Sequence, residues 1–226
     1  MPRYTAKSVP PCDDSCVDLE RARRRLSEIL EDCGIDPRVR DAMSRVPRHR
    51  FVPKDIERLA YEDEALPIGL SQTISQPSLV GMMTERLEPT PDSVVLEVGT
   101  GSGYQAAILS HLVREVWTVE VVPELAERSA RLLAELGCSN VHVRTGDGYA
   151  GWPEHAPFDA IIVTAAAPRV PEPLLAQLRV GGHMVIPLEN DLVRVTRQPD
   201  DTYHREWLCG VSFVPMTGAI RARPHG

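Results

Sequence analysis

Apolar positions along this chain change their spacing twice, and those changes divide it into three stretches. Residues 1–17 show no sustained period and hold three prolines, so they are expected to form a poorly ordered tail. From Asp18, a candidate helix cap, Leu19, Ala22, Leu26, Ile29 and Leu30 recur at helical spacing, with Gly34 just past the end. A second helix is predicted from Asp36-Pro37, with Val39, Ala42, Met43 and Val46 inward and Pro47 as its stop. From Phe51 to Pro77 no period holds, and irregular chain of that length inside a compact protein tends to be functional. Leu79, Val80, Met83 and Leu87 then mark the buried face of another helix, its methionines read as core filler.

Beyond Ser93 the pattern alternates. Short β-branched runs at Val94–Val98, Val116–Glu120, Val141–Arg144, Ala160–Thr164 and His183–Leu188 read as strands. Helical spacing lies between them at about Tyr104–Val113, Glu124–Leu136 and Pro171–Leu178, with a short turn near Gly151-Trp152. This is the signature of βαβ units in an α/β, doubly wound, mostly parallel sheet. Leu192–Arg197 and Tyr203–Val214, joined by a polar turn at Gln198–Thr202, are predicted to finish it as an antiparallel pair.

The first strand of the alternating part runs into Gly99-Thr100-Gly101-Ser102-Gly103, directly before a helix. Glycines there let backbone approach a ligand closely, and the helix that follows offers unpaired N–H groups. A dinucleotide loop is spaced G-x-G-x-x-G. Here the third glycine comes one residue early, and Glu120 ends the next strand, placed to accept both hydroxyls of an adenosine ribose. Asp147, between Gly146 and Gly148 after the third strand, can accept from an adenine amino group; the plainer reading is a Gly-Asp-Gly turn. The loop Thr164–Pro168 joins the same rim, because ligands of such sheets bind at the carboxyl ends of the strands. Its Ala165–Ala167 are small enough to leave room for a substrate. The loop and Glu120 resemble those of class I S-adenosylmethionine-dependent methyltransferases.

Composition narrows the setting. The 226 residues are 42% hydrophobic and 25% charged, as in an ordinary globular protein. No apolar run approaches the ~20 residues of a membrane span and no signal-type segment follows Met1, so a cytoplasmic protein without a membrane partner is expected. A net charge of −7 argues against a nucleic-acid partner. The five cysteines are scattered and odd in number; Cys12 and Cys16, with no histidine nearby, make a poor metal site, and no metal is expected. The run Arg23-Arg24-Arg25 reads as a solvated face.

The segment Gln72-Thr73-Ile74-Ser75-Gln76-Pro77 places hydroxyls and amides just before a helix; by itself Ser75 could be a plain cap. Taken with Val46–Pro53, Ala60–Asp63, the glycine loop, Gly146–Gly148, Phe158–Pro168 and Phe213–Met216, it resembles the protein-L-isoaspartate O-methyltransferases over about residues 38–217. The resemblance implies transfer of a methyl group from S-adenosyl-L-methionine, leaving S-adenosyl-L-homocysteine, to the carboxylate of L-isoaspartyl residues in damaged proteins and peptides. The ester then closes to a succinimide. A carboxyl methyltransferase serving an aspartate of one dedicated biosynthetic peptide is the alternative, and a module that binds the cofactor without turnover a further one. The resemblance also implies residue roles. Ser75 is the active-site serine, with Thr73, Ile74 and Gln76 beside it at the substrate. Gln72, Thr73, Ile74, Ser75, Val80, Gly99, Thr100, Gly101, Gly103, Glu120, Asp147, Gly148 and Thr217 fall at the cofactor. Two positions depart from the pattern: Ser71 stands where glycine is common and Met216 where leucine is. Residues 18–226 are expected as one methyltransferase domain, with a helical and substrate-loop part (18–92) and a cofactor-binding sheet (93–226). A monomer is the expected state.

Overall fold

In the computed structural model, which describes residues 14–222, the alternating stretch builds a seven-stranded sheet in the order β5-β4-β3-β6-β7-β8-β9. Its strands are β3 (Val94–Val98), β4 (Glu115–Glu120), β5 (Val141–Thr145), β6 (Phe158–Val163), β7 (Leu178–Leu188), β8 (Asp191–Arg197) and β9 (Tyr203–Gly210). The first five run parallel, and β8 and β9 complete the sheet antiparallel. The chain steps outward from β3 through β4 to β5, then returns to the other side of β3 as β6. That reversal opens a crevice at the carboxyl ends of β3 and β6, where open α/β sheets hold ligands.

Helices α4 (Tyr104–Ser110), α5 (Pro123–Glu135) and α6 (Glu172–Gln177) connect the strands, and α7 (Ala219–Ala222) follows them. Both faces of the sheet centre are covered, so β3 and β6 are buried almost along their whole length rather than alternating. Val95 belongs to one core cluster, with Leu30, Met43, Leu109 and Val116. Its neighbour Leu96 belongs to the other, with Phe158, Ile161, Leu174 and Met184. The first cluster extends under the N-terminal helices α1 (Asp14–Asp32), α2 (Pro37–Arg45) and α3 (Pro77–Arg86).

Four boundaries differ from the sequence expectation. Helix α1 begins at Asp14, ahead of Asp18, because no helix breaker stands between Pro11 and that point. The expected tail is therefore helical over residues 14–17, and the rest of it, with Cys12, lies outside the described residues. Residues 51–77 are not irregular throughout. They contain a 3-10 turn at Lys54–Leu59 and a hairpin of β1 (Leu66–Gly69) and β2 (Gln72–Ile74). The hairpin turn is Leu70-Ser71, at φ +53° and +58°, so it carries none of the glycine signals that announce such turns. Strand β7 begins at Leu178, its first half hidden in sequence by Gly181-Gly182. A Cβ at Gly182 would stand 2.7 Å from the Asp159 carbonyl, which explains the glycine. Strand β9 ends at Gly210, short of Val214, because residues 211–217 leave the sheet edge. They pair instead with the loop after β6, where Ala166 N donates to Val214 O at 2.9 Å and Met216 N to Ala166 O at 2.7 Å.

Candidate active site

The glycine loop leaves β3 at Val98 and turns through Gly99 (φ +99°) and Gly101 (φ +53°). A Cβ on Gly99 would meet Thr164 Oγ1 at 2.4 Å, so only glycine lets the ends of β3 and β6 close together. Gly103 does something else. It caps α4 at φ +90°, and a Cβ there would press on Ser129 and Leu133 of α5 at 3.1 and 3.3 Å.

Two acids close the base of the pocket. Glu120, at the end of β4, accepts from Gly101 N at 2.7 Å and from Val122 N at 3.0 Å, so its carboxylate is fixed by backbone while retaining free lone pairs. Glu97, within β3, is fully buried. Its Oε2 accepts from the Thr118 hydroxyl at 2.6 Å, and Thr118 is within 2.6 Å of Thr100 Oγ1. Oε1 is buried with no partner among the described residues. Burial pushes the Glu97 carboxyl up to about 8; the Thr118 hydrogen bond pulls it down and the charge of Glu120 adds to the rise.

The hairpin and the start of α3 form the opposite wall. Arg128 of α5 donates to Ile68 O at 2.8 Å and anchors the hairpin beside the glycine loop, where a Cβ on Gly101 would touch Ile68 Cδ1 at 3.7 Å. The cap of α3 is Gln76, not Ser75, and its side chain makes no capping bond. Asp63 serves instead by accepting from Ser78 N at 2.8 Å. Ser75 is thereby relieved of the capping role open to it on sequence, and the residue lines the pocket.

Thr164, Ala165 and the strap Val214–Thr217 complete the enclosure. Gly148 sits beneath it, where a Cβ would strike Val98 Cγ1 at 2.4 Å. Asp147 is turned to structural work: its Oδ1 accepts from Tyr149 N at 2.9 Å and its Oδ2 from Ala219 N at 2.7 Å. It clamps the C-terminal segment, and the plainer turn reading of Gly-Asp-Gly describes its contacts. Of the three alanines only Ala165 lines the pocket; the backbones of Ala166 and Ala167 bridge to Pro215 and Leu188.

One pocket thus gathers Gln72, Thr73, Ile74, Ser75, Val80, Gly99, Thr100, Gly101, Glu120, Gly148 and Thr217. Gly103, Asp147 and Gln76 do not line it; Gln76 lines an adjoining groove between α3 and residues 209–215, which shares Thr73, Val214 and Pro215 with the pocket. Sequence reasoning missed Glu97, Tyr104, Gln105 and Met83 as pocket residues. Glu97 was visible as an acid inside an otherwise apolar strand; Tyr104 and Met83 read as helix core, and Gln105 carried no signal beyond its place in a helix. Gln105 donates to Thr84 Oγ1 at 2.8 Å, locking α4 to α3. The donor set fits S-adenosylmethionine: a fixed carboxylate suits a ribose diol, and a buried carboxyl oxygen without a partner suits a cationic ligand. Among the described residues no cluster of histidine, cysteine and carboxylate side chains could hold a metal, and no helix is long and apolar enough to cross a membrane.

Comparison with known proteins agrees over most of the chain. The family described as Protein-L-isoaspartate(D-aspartate) O-methyltransferase matches residues 21–221. A Pelobacter propionicus protein named Protein-L-isoaspartate O-methyltransferase 2 is 52% identical over 218 residues, covering 92% of this chain and 97% of its own. One of the same name from Nitrosococcus oceani is 53% identical over 189 residues, 82% of this chain and 86% of its own. Among solved structures, a protein-L-isoaspartate O-methyltransferase superposes with a TM-score of 0.79 at 29% identity, over 88% of this chain and 67% of its own. A Plasmodium falciparum protein described by the same activity, solved with S-adenosyl-L-homocysteine, gives 0.76 at 26% identity over 86% and 98%.

Proposed function

The chain belongs to the protein-L-isoaspartate(D-aspartate) O-methyltransferase family, and on that premise we propose how its residues divide the work. It is an S-adenosylmethionine-dependent methyltransferase acting on L-isoaspartyl residues of proteins and peptides, the first step of their repair through a succinimide. S-adenosylmethionine, when bound, supplies a methyl group on a positively charged sulfur. The chain must hold and align the acceptor. An isoaspartyl carboxyl, with an ordinary pKa of roughly 3.5 to 4, is already ionised at neutral pH, so no residue has to remove a proton. The remaining contribution is orientation and exclusion of water.

In this reading Ser75 orients the carboxylate through a neutral hydroxyl donor, which leaves its charge available. Gln72, Thr73 and Ile74 close the pocket, and Thr73 and Gln76 border the path of the acceptor chain. Gly99, Thr100, Gly101, Val80, Gly148 and Thr217 form the donor pocket, with Glu120 on its ribose. Gly103 and Asp147 support that pocket from outside. The observation that carries the reading is the meeting of the serine segment 72–75 with the glycine loop 99–101 across one cavity that also holds Glu120.

The net charge of −7 supports a protein that does not engage nucleic acid, and the free thiols Cys33, Cys138 and Cys209 suit a cytoplasmic setting. Competition between isoaspartyl peptides of unrelated sequence tests general repair. Each should inhibit methylation of the others at similar concentration, whereas a single strongly preferred sequence would overturn it.

A further inference from the structure

Arg48 belongs to a segment that the sequence singled out and the pocket does not use. It opens the 3-10 turn Arg48–Phe51 and is fully buried. A buried guanidinium is unfavourable unless its donors find acceptors. Its Nε donates to Ala60 O at 2.7 Å and its Nη2 to Ser75 O at 2.8 Å, with Glu64 O at 3.5 Å. The guanidinium lies over the ring of Tyr104, 4.6 Å from the centroid, and Nη1 is buried without a partner among the described residues. Tyr104 in turn lines the donor pocket, which Arg48 itself does not reach.

These bonds join the two ends of the 60–75 segment, whose middle is the hairpin over the glycine loop. A brace for the fold alone gives no reason for charge, since packed apolar residues of similar volume commonly serve as well. What sets Arg48 apart is that one of its acceptors is the carbonyl of Ser75 itself. Three residues on, Asp63 holds the Ser78 amide at 2.8 Å, so the turn into α3 is pinned on both sides of Gln76-Pro77.

We propose that Arg48, with Asp63 as the second pin, is a positioning residue for methyl transfer: it fixes the Ser75 backbone and thereby the direction in which the Ser75 hydroxyl meets the acceptor carboxylate. This rests on the reading of Ser75 as the orienting group. Lysine at position 48 keeps the charge but lacks the fork that reaches two carbonyls at once.

A double-mutant cycle with Arg48→Lys and Ser75→Ala, measured as kcat on an isoaspartyl peptide at saturating donor, tests it. Each single variant should lose about tenfold or more, with S-adenosylhomocysteine affinity within about threefold of the wild type. The double variant should be no slower than the slower single, because the two act as one unit. Losses that multiply would overturn the role of Arg48 and leave that of Ser75 intact. An unchanged kcat in Ser75→Ala would overturn the reading of Ser75, and the inference with it. Should Arg48→Lys fail to fold, Asp63→Ala replaces it in the cycle, with the same non-additivity expected and multiplied losses again decisive against it.

Discussion

Thr118 donates its hydroxyl to Glu97 Oε2 at 2.6 Å, and this is the one hydrogen bond on a fully buried carboxyl whose other oxygen has no partner among the described residues. Burial is the main reason the group titrates near 8 instead of its ordinary 4.5. Between those values the folded, ligand-free protein holds a proton that the unfolded chain has released, so stability falls as pH rises through that window. Glu97→Gln removes the titration. In urea unfolding without ligand, the difference in stability between variant and wild type should move in the variant's favour from pH 5 to pH 8. Parallel pH dependences would contradict this.

Glu120 ties the end of β4 to the glycine loop through Gly101 N and the start of α5 through Val122 N. Hydrogen bonds to a charged group contribute about 1.5–3 kcal/mol, and 1.4 kcal/mol is about tenfold in affinity. Glu120→Ala should therefore weaken S-adenosylhomocysteine binding by about tenfold or more in calorimetry, with a smaller change in kcat at saturating donor.

Leu70 and Ser71 hold left-handed backbone at the exposed tip of the hairpin. A non-glycine residue there is destabilised by about 1 kcal/mol relative to glycine. Ser71→Gly should raise the melting temperature by a few degrees. Because Ser71 does not itself line the pocket and glycine keeps the same left-handed backbone, steady-state constants for donor and acceptor should stay within about twofold.

Asp147 has both oxygens on backbone amides, those of Tyr149 and Ala219. Asp147→Ala should accelerate hydrogen exchange at Ala219 and Tyr149 and lower stability by about 1 kcal/mol, the usual size of a lost cap. Donor affinity should fall less than in Glu120→Ala. A larger fall would mean that Asp147 meets the ligand directly.

Legibility in the sequence followed how local each signal was. The parallel sheet, the glycine loop and Glu120 could be read because a buried strand, a tight turn and a following helix each leave a contiguous pattern. The hairpin at 66–74 could not, since Leu70-Ser71 adopts a turn its residue types do not announce. The second partner of Asp147 was hidden for a related reason: Gly-Asp-Gly has the same appearance whether or not the acid also holds the Ala219 amide 72 residues on. Arg48 was hidden more deeply. Its acceptors at Ala60 and Ser75 are backbone carbonyls, which no side-chain pattern marks.

The central claim is the identity of the acceptor. It is tested most directly by incubating the protein with methyl-labelled S-adenosylmethionine and two peptides that differ only in an isoaspartyl or an aspartyl linkage at one site. A base-labile methyl ester should form on the isoaspartyl peptide, followed by a succinimide and by normal aspartyl peptide, with the aspartyl partner unlabelled. Label on the aspartyl peptide alone, or on neither peptide, would contradict it.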